Sequence, residues 1–523
     1  MISWNRQLMV KDAQYLKNKM KHKTFKMGLV DKVSTLGDLK ESGWKSVSIK
    51  EEMRKNLIAR MRSDQVTFDG ILGYEETVIP QIQQAILAKH DFILLGLRGQ
   101  GKTRLLRQMI YLLDDYIPIV KDSIINDDPF YPLSRFAREI LNNMGDDTPI
   151  EWVSREERFS EKLATPDTTV SDLIGDIDPI KAASQKLDLS HEDSINFGLI
   201  PRSNRGIFII NELPDLQPRI QVALLNIMQE RDIQIRGFKF RMPLDVCMAF
   251  SANPEDYTNR GNIITPLKDR IDAQIITHYP KDIETAMKIT AQESWAHRDM
   301  SVDVLIPDAY KYILEHVAFE ARASEYIDQK SGVSTRMTIT AMEQMISAAE
   351  RRALLQGEVK TQIRVSDLYH IIPALTGKLE LVYEGEQEGA INVAKLIVGK
   401  AITKVYKNYF PDPSKRNEES ASIYEPIGLH FELGNELILG DHINDNDYKD
   451  ALMHVKGLKE AVANVMGEST EDTDICAWMD ITLEALHQHS MLGKEEINQT
   501  TKYTDMLGTM LDQLDTSSGY EIE

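Results

Sequence analysis

Between residue 68 and about residue 280 one pattern repeats: a short apolar run, a turn, then apolar residues at helical spacing. Four runs stand out, at residues 92–95, 207–211, 245–251 and 274–277. They are apolar runs rather than alternating ones, which predicts buried strands. The helices between them predict a parallel α/β sheet flanked by helices. Residues 1–66 carry charged helical patterns broken at Gly28, Gly37 and Gly43, with one amphipathic helix over 47–62, and are expected to be an appendage outside the core. From 281 to 376 the period is almost purely helical, clearest over 338–355, and predicts a small helical lid domain. Residues 377–523 predict a mainly helical acidic region: a Glu/Gly-rich stretch at 383–389, a helix over 391–409, a polar break at 411–422, then acidic helices to a frayed end at 516–523. An alternating segment around Gly237, residues 233–242, reads as a hairpin that would display Arg236, Lys239 and Arg241.

The chain has 523 residues, 42% of them hydrophobic, enough for ordinary cores in several domains. No apolar run approaches the roughly 20 residues of a membrane span. The first six residues do not lead into a secretory apolar stretch, so no membrane association and a cytoplasmic location are expected. Cys247 and Cys476 lie far apart, and buried reduced thiols are expected. His487 and His489, and the acidic stretch 441–447, read as solvated surface, since the latter lacks the glycine and distal glutamate of a calcium loop. The net charge of −20 is uneven: residues 1–66 hold 15 basic and 7 acidic side chains, residues 380–523 hold 11 and 28. The acidic third would repel nucleic-acid phosphate; the basic stretch 17–26 suits nucleic acid, an acidic neighbour or a solvated helix face.

One motif carries specific chemistry. Gly96-Leu97-Arg98-Gly99-Gln100-Gly101-Lys102-Thr103 fits G-x-x-x-x-G-K-[ST] and follows the run at 92–95. In such a loop the glycines let backbone N–H groups close around a polyphosphate. Lys102 reaches the β and γ phosphates, and the Thr103 hydroxyl holds Mg²⁺. A second candidate is the apolar run ending in Asn211-Glu212, where an open α/β sheet presents groups to its ligand. Glu212 is the expected base or water-orienting group, and Asn211 stands where a metal-holding aspartate is usual. A strand ending at a surface turn is the other reading. An amide holds Mg²⁺ less firmly than a carboxylate, so Asn211→Asp is expected to lower the Mg²⁺ requirement.

Taken with its neighbours, this region resembles the AAA+ ATPases over residues 68–376, and within them the magnesium-chelatase ATPase subunits and MoxR-like ATPases. Gly73-Tyr74-Glu75-Glu76 resembles the segment that contacts the base. Residues 197–206 and 225–231 resemble the approach to the acidic motif and its continuation. Ser251-Ala252-Asn253-Pro254-Glu255 resembles the first sensor, which implies that Asn253 bonds the γ phosphate or the attacking water. Leu267-Lys268-Asp269-Arg270 resembles the arginine-finger region, which implies that Arg270 acts on a neighbouring subunit's nucleotide, with Arg260 a second candidate. Ser331-Gly332-Val333-Ser334-Thr335-Arg336 resembles the second sensor, which implies that Arg336 touches the γ phosphate in cis. The insert at about 165–196 resembles that of the same group. The resemblance implies ATP with Mg²⁺ and a ring of copies of this chain, six by expectation. It also implies a client protein or a partner with a von Willebrand A-type domain. A true chelatase subunit, a nucleic-acid motor and an ATP-gated scaffold are the alternatives.

Overall fold

A strand that is apolar at every position must be covered on both faces. The protein, seen in a computed structural model, is described at residues 30, 32–185, 192–235, 241–254, 262–296, 302–415, 418–440, 442–467, 471–497 and 500–506. The basic stretch 17–26, Arg260, Arg236, Lys239 and the end at 516–523 lie outside these. The chain divides into two compact units, Met1–Gly96 with Gly101–His278 and Leu97–Gln100 with Tyr279–Glu523.

The first unit contains α1 (Ile49–Arg62), α2 (Val78–Leu87), α3 (Lys102–Gln108), α4 (Pro218–Glu230) and α5 (Thr265–Arg270), among other helices. Strands β1 (Phe92–Leu95), β2 (Phe159–Leu163), β3 (Gly206–Asn211), β4 (Val246–Ala252) and β5 (Ala273–Ile276) form one parallel sheet, ordered β5-β1-β4-β3-β2. Successive side chains serve opposite cores. Ile207 and Ile209 join Phe92, Leu94 and Ala249 with residues of α1, α2 and α3, whereas Phe208 and Ile210 join Ile93, Met248 and Phe250 with residues of α4 and α5. The four side chains Ile207–Ile210 have no solvent exposure, each contributing about 1.5–3 kcal/mol. The four apolar runs coincide with β1, β3, β4 and β5 to within a residue. The edge strand β2 is an addition.

The amphipathic helix expected in an appendage is part of this core. Ile49, Met53 and Leu57 of α1 pack on the sheet, and Glu52 pairs with the buried Arg158 at 2.6 and 2.9 Å. The hairpin expected near Gly237 is present as paired strands Asp232–Gln234 and Arg241–Pro243. The insert folds as the antiparallel pair Gly175–Ile177 and Ile195–Phe197 with the helices Val170–Leu173 and Pro179–Gln185.

The second unit contains α6 (Ile283–Glu293), α7 (Asp308–Ala323), α8 (Arg336–Gln356), α9 (Ala390–Tyr409) and α10 (Asp472–Gln488), among other helices. It also holds a three-stranded antiparallel sheet of β6 (Leu437–Gly440), β7 (Gly493–Ile497) and β8 (Thr500–Thr504), which the sequence reading did not anticipate. One hydrophobic cluster runs from Val302 to Tyr503, so the residues read as a lid and those read as a separate acidic region share a core. Asp445, read as solvated surface, instead pairs with the buried Arg352 and Arg364 at 3.1 and 2.7 Å. Cys247 and Cys476 are buried and free, and burial pushes both thiols up to about 12. Among the described residues no helix is long and apolar enough to cross a membrane.

Candidate functional site

The strand order makes β1 the switch point of the sheet: the chain leaves it for the far edge at β2, returns through β3 and β4, and crosses to β5. Ligands of open α/β sheets bind outside the carboxyl ends of strands at such a point. Gly96 follows β1 and its N–H donates to the Ala252 carbonyl at 3.2 Å, tying the loop's start to the end of β4. Gly99 and Gly101 adopt φ of +73° and +72°, the left-handed region that glycine enters without strain. Gly101 is the N-cap of α3 and makes no side-chain cap hydrogen bond. Lys102 is buried and its ammonium donates back to the Gly96 carbonyl. Thr103 is the second residue of α3 and is half-buried.

The loop's tip, Leu97–Gln100, packs as part of the second unit. Arg98 donates to the carbonyls of Gly332 and Lys378 at 3.2 Å each and pairs with Glu380. Thr335 Oγ1 donates to the Gly99 carbonyl at 2.6 Å. A Cβ at Gly99 would lie 2.0 Å from Ser334 Oγ, so this position admits only glycine.

At the carboxyl ends of β2, β3 and β4 lies a row of polar side chains on the face that α3 covers. Asn211 Nδ2 donates to Glu161 Oε1 at 2.6 Å, and Ser251 Oγ donates to Asn211 Oδ1 at 2.8 Å. Glu161 is gripped by Arg107 of α3 at 2.7 and 3.1 Å, and that carboxylate raises the guanidinium's affinity for its proton. Glu212, the next residue after Asn211, has a left-handed backbone at φ +54°, which costs a non-glycine residue about 1 kcal/mol or more. Its N–H faces Ser251 Oγ at 3.4 Å. Such strain persists where the fold over-determines it, which is commonest at functional sites. Asn253 follows β4 and is half-buried.

The remaining expected residues sit apart from this row. Tyr74 is buried in the first unit's core, its hydroxyl donating to the His278 carbonyl at 2.7 Å, and Gly73 beside it has φ +81°. Arg270, the last residue of α5, donates to Gln229 Oε1 at 2.9 and 2.7 Å and to the Pro266 carbonyl at 2.8 Å. Arg336 is exposed at the first position of α8, a helix with no acidic residue in its first turn. A cation there opposes the helix dipole, so it does not stabilise the helix. The sequence reading missed Glu161, Arg107 and Gln229. Arg107 stood one helical turn beyond Thr103, but Glu161 lay in a run with no apolar periodicity.

Among the described residues no group of three or more His, Cys, Asp or Glu is arranged to hold a metal. The donors at the strand ends and the loop are oxygens: Thr103, Ser251, Glu161 and Glu212. That set suits Mg²⁺, which takes one or two protein oxygens and completes its shell with phosphates and water.

No family model matches the chain. It is 25% identical over 256 residues to the magnesium-chelatase 38 kDa subunit of Cereibacter sphaeroides, a match covering 45% of this chain and 69% of that protein. It is also 25% identical over 239 residues to the magnesium-chelatase subunit ChlI of Cyanidium caldarium, covering 44% of this chain and 63%, under two thirds, of that one. Among solved structures, a chain of the complex between subunits BchI and BchD of magnesium chelatase superposes with a TM-score of 0.32 at 18% identity, over 61% of this chain and 98% of that chain. The chain is thus distantly homologous to magnesium-chelatase ATPase subunits, a kinship with the AAA+ ATPases at large and with no particular branch of them.

Proposed function

We propose that the protein is an AAA+ ATPase that binds and hydrolyses ATP with Mg²⁺, assembles into a ring of its own copies, and uses the cycle to remodel a partner protein. The observation that carries this reading is the convergence of Gly96–Thr103 and the strained Glu212 at the carboxyl edge of one parallel sheet. The loop amides and Lys102 bind the phosphates, and Thr103 presents its hydroxyl to the metal. Bound Mg²⁺ supplies charge neutralisation at the phosphate oxygens. Glu212 takes the proton of the attacking water, and Asn253 orients that water by hydrogen bonding. Arg270 completes the site of an adjacent subunit, and Arg336 senses the γ phosphate from the second unit. Loss of that phosphate releases both arginines, and the second unit shifts its population of positions. Gly73 and Tyr74 line the base in this reading, through the backbone, since the Tyr74 hydroxyl is engaged with His278.

Lys102→Ala should weaken ATP binding about a hundredfold or more, because it removes charge-assisted bonds to several phosphate oxygens. An unchanged affinity in a fluorescence titration would refute the assignment of the loop. Mixing Arg270→Ala protein with Lys102→Ala protein should restore part of the turnover that each has lost, since mixed rings contain interfaces with an intact loop facing an intact arginine. The similarity to chelatase subunits favours a second reading, in which the remodelled partner belongs to a complex that inserts Mg²⁺ into a porphyrin. Porphyrin metallation on reconstitution with chelatase partner subunits would decide for it. A Glu212→Gln protein, binding ATP without cleaving it, is the bait that would capture the partner, including one with a von Willebrand A-type domain.

A further inference from the structure

The end of β3 carries an amide where a metal-side carboxylate would be expected, yet a carboxylate stands one strand away. Glu161 Oε1 accepts from Asn211 Nδ2 at 2.6 Å, and Asn211 Oδ1 accepts from Ser251 at 2.8 Å. The amide's orientation is forced, because an ionised carboxylate only accepts and the amide nitrogen must therefore face it. Arg107 reaches the same carboxylate from α3, one helical turn after Thr103, with two bonds of 2.7 and 3.1 Å. The two charges of this pair differ in setting: the Arg107 side chain is 63% exposed and that of Glu161 21%. Solvent screens the guanidinium more than the carboxylate.

We propose that Glu161 supplies, from β2, the negative charge that β3 lacks at Asn211, so that the acidic group on the metal side of the nucleotide site is split across two strands. The inference rests on the nucleotide-site reading above. Asn211 serves as a positioning residue: donating to Glu161 polarises its amide, which makes Oδ1 a stronger acceptor beside the metal's water shell. Arg107 is the clamp that holds Glu161 in register. The single substitution Asn211→Asp then has the opposite effect from the one the sequence alone predicts. It sets a second carboxylate 2.6 Å from the first, where two like charges cannot both ionise. Exchanging the two groups, Glu161→Gln together with Asn211→Asp, keeps every partner but one: Glu161 Oε1 accepts from both Asn211 and Arg107, and an amide nitrogen in its place gives up the 3.1 Å bond from Arg107. The new amide at 161 donates to the new carboxylate at 211 and accepts from Arg107, and Ser251 still donates to position 211.

The test compares wild type, Glu161→Gln, Asn211→Asp and the exchanged double variant in their affinity for fluorescent ADP, with Mg²⁺ and with EDTA, alongside melting without nucleotide. The expected result is that Mg²⁺ tightens binding in wild type, that Glu161→Gln loses about 10–100-fold of that Mg²⁺-dependent gain with EDTA binding unchanged, and that the exchange restores it. Asn211→Asp alone should melt lower and lose the gain. If Glu161→Gln lowers melting but keeps the full Mg²⁺ gain, Glu161 is a structural tie and the proposal fails. Should that variant fold poorly, the exchanged protein carries the test: a gain absent from a well-folded double variant overturns the split. Wild type that binds ADP with no Mg²⁺ gain refutes the proposal alone, whereas wild type that binds no nucleotide refutes the underlying reading.

Discussion

Two arginine–carboxylate networks in this protein are built from the same chemistry and serve different ends. In the second unit Arg352, Arg364 and Asp367 are almost wholly buried and close on one another through Asp445, with contacts of 2.7 to 3.1 Å. Arg352 also spends donors on Thr361 and on the Gln362 carbonyl. Such a network joins α8 to the segments beside it, although the buried Arg364 Nε finds no acceptor. In the first unit Arg107, Glu161, Asn211 and Ser251 form a row at the open edge of a sheet, beside a backbone held at positive φ. Burial without strain marks a scaffold, and partial exposure with strain marks a site.

The contrast breaks most directly at Glu212. Glu212→Gly should cut ATP turnover about 10²–10⁴-fold, the usual contribution of a general base, yet the protein should melt no lower, because glycine relieves the left-handed backbone. A large loss of stability in urea unfolding would return Glu212 to the scaffold. In the other network Arg352→Ala should destabilise the second unit by about 3–5 kcal/mol, since it leaves the buried Asp367 without its guanidinium partner. A loss under about 1 kcal/mol in denaturant unfolding would show that solvent reaches these groups.

The smallest effect sharpens the comparison through pH. Glu315 of α7 is buried, has one carboxyl oxygen without a hydrogen-bond partner, and is pushed up to about 7 by burial, against the pull of Thr290 and Arg322. Its folded value lies above the ordinary 4.5, so the folded state holds the proton more firmly. The stability it contributes is complete below about pH 4.5 and is lost as pH rises through about 7. Glu315→Gln should remove that slope, worth on the order of 2 kcal/mol, in unfolding measured from about pH 5 to 8. Parallel slopes in wild type and variant would show that the carboxyl is solvated.

The central strands were legible because Phe92–Leu95 and Ile207–Ile210 are apolar at every position, as a two-sided sheet interior demands, whereas β5 at the edge carries Gln274 and leaves Ile276 70% exposed. The edge strand β2, Phe159-Ser160-Glu161-Lys162-Leu163, was not, since half of it faces α3 through a charged pair. For the same reason Glu161 escaped notice: its bond to Asn211 joins residues 50 positions apart in the chain. Helix α1 looked like a solvated appendage because its charges outnumber its apolar residues, and only Ile49, Met53 and Leu57 at one-turn spacing mark the packed face. The loop Gly96–Thr103 was visible as a string, and Gly99 and Gly101 do adopt positive φ. Its tip's attachment to Gly332, Lys378 and Thr335 has no signature, because two of those partners are backbone carbonyls, which every residue provides.

That attachment orders events during synthesis. The ribosome delivers Arg98 early, but its acceptors Gly332 and Lys378 follow 234 and 280 residues later. At about 5–20 residues per second the tip waits on the order of ten seconds or more for them. A nascent chain that has already completed β1 to β5 therefore carries residues 97–100 while their hydrogen-bond partners at 332, 335 and 378 are still to be made.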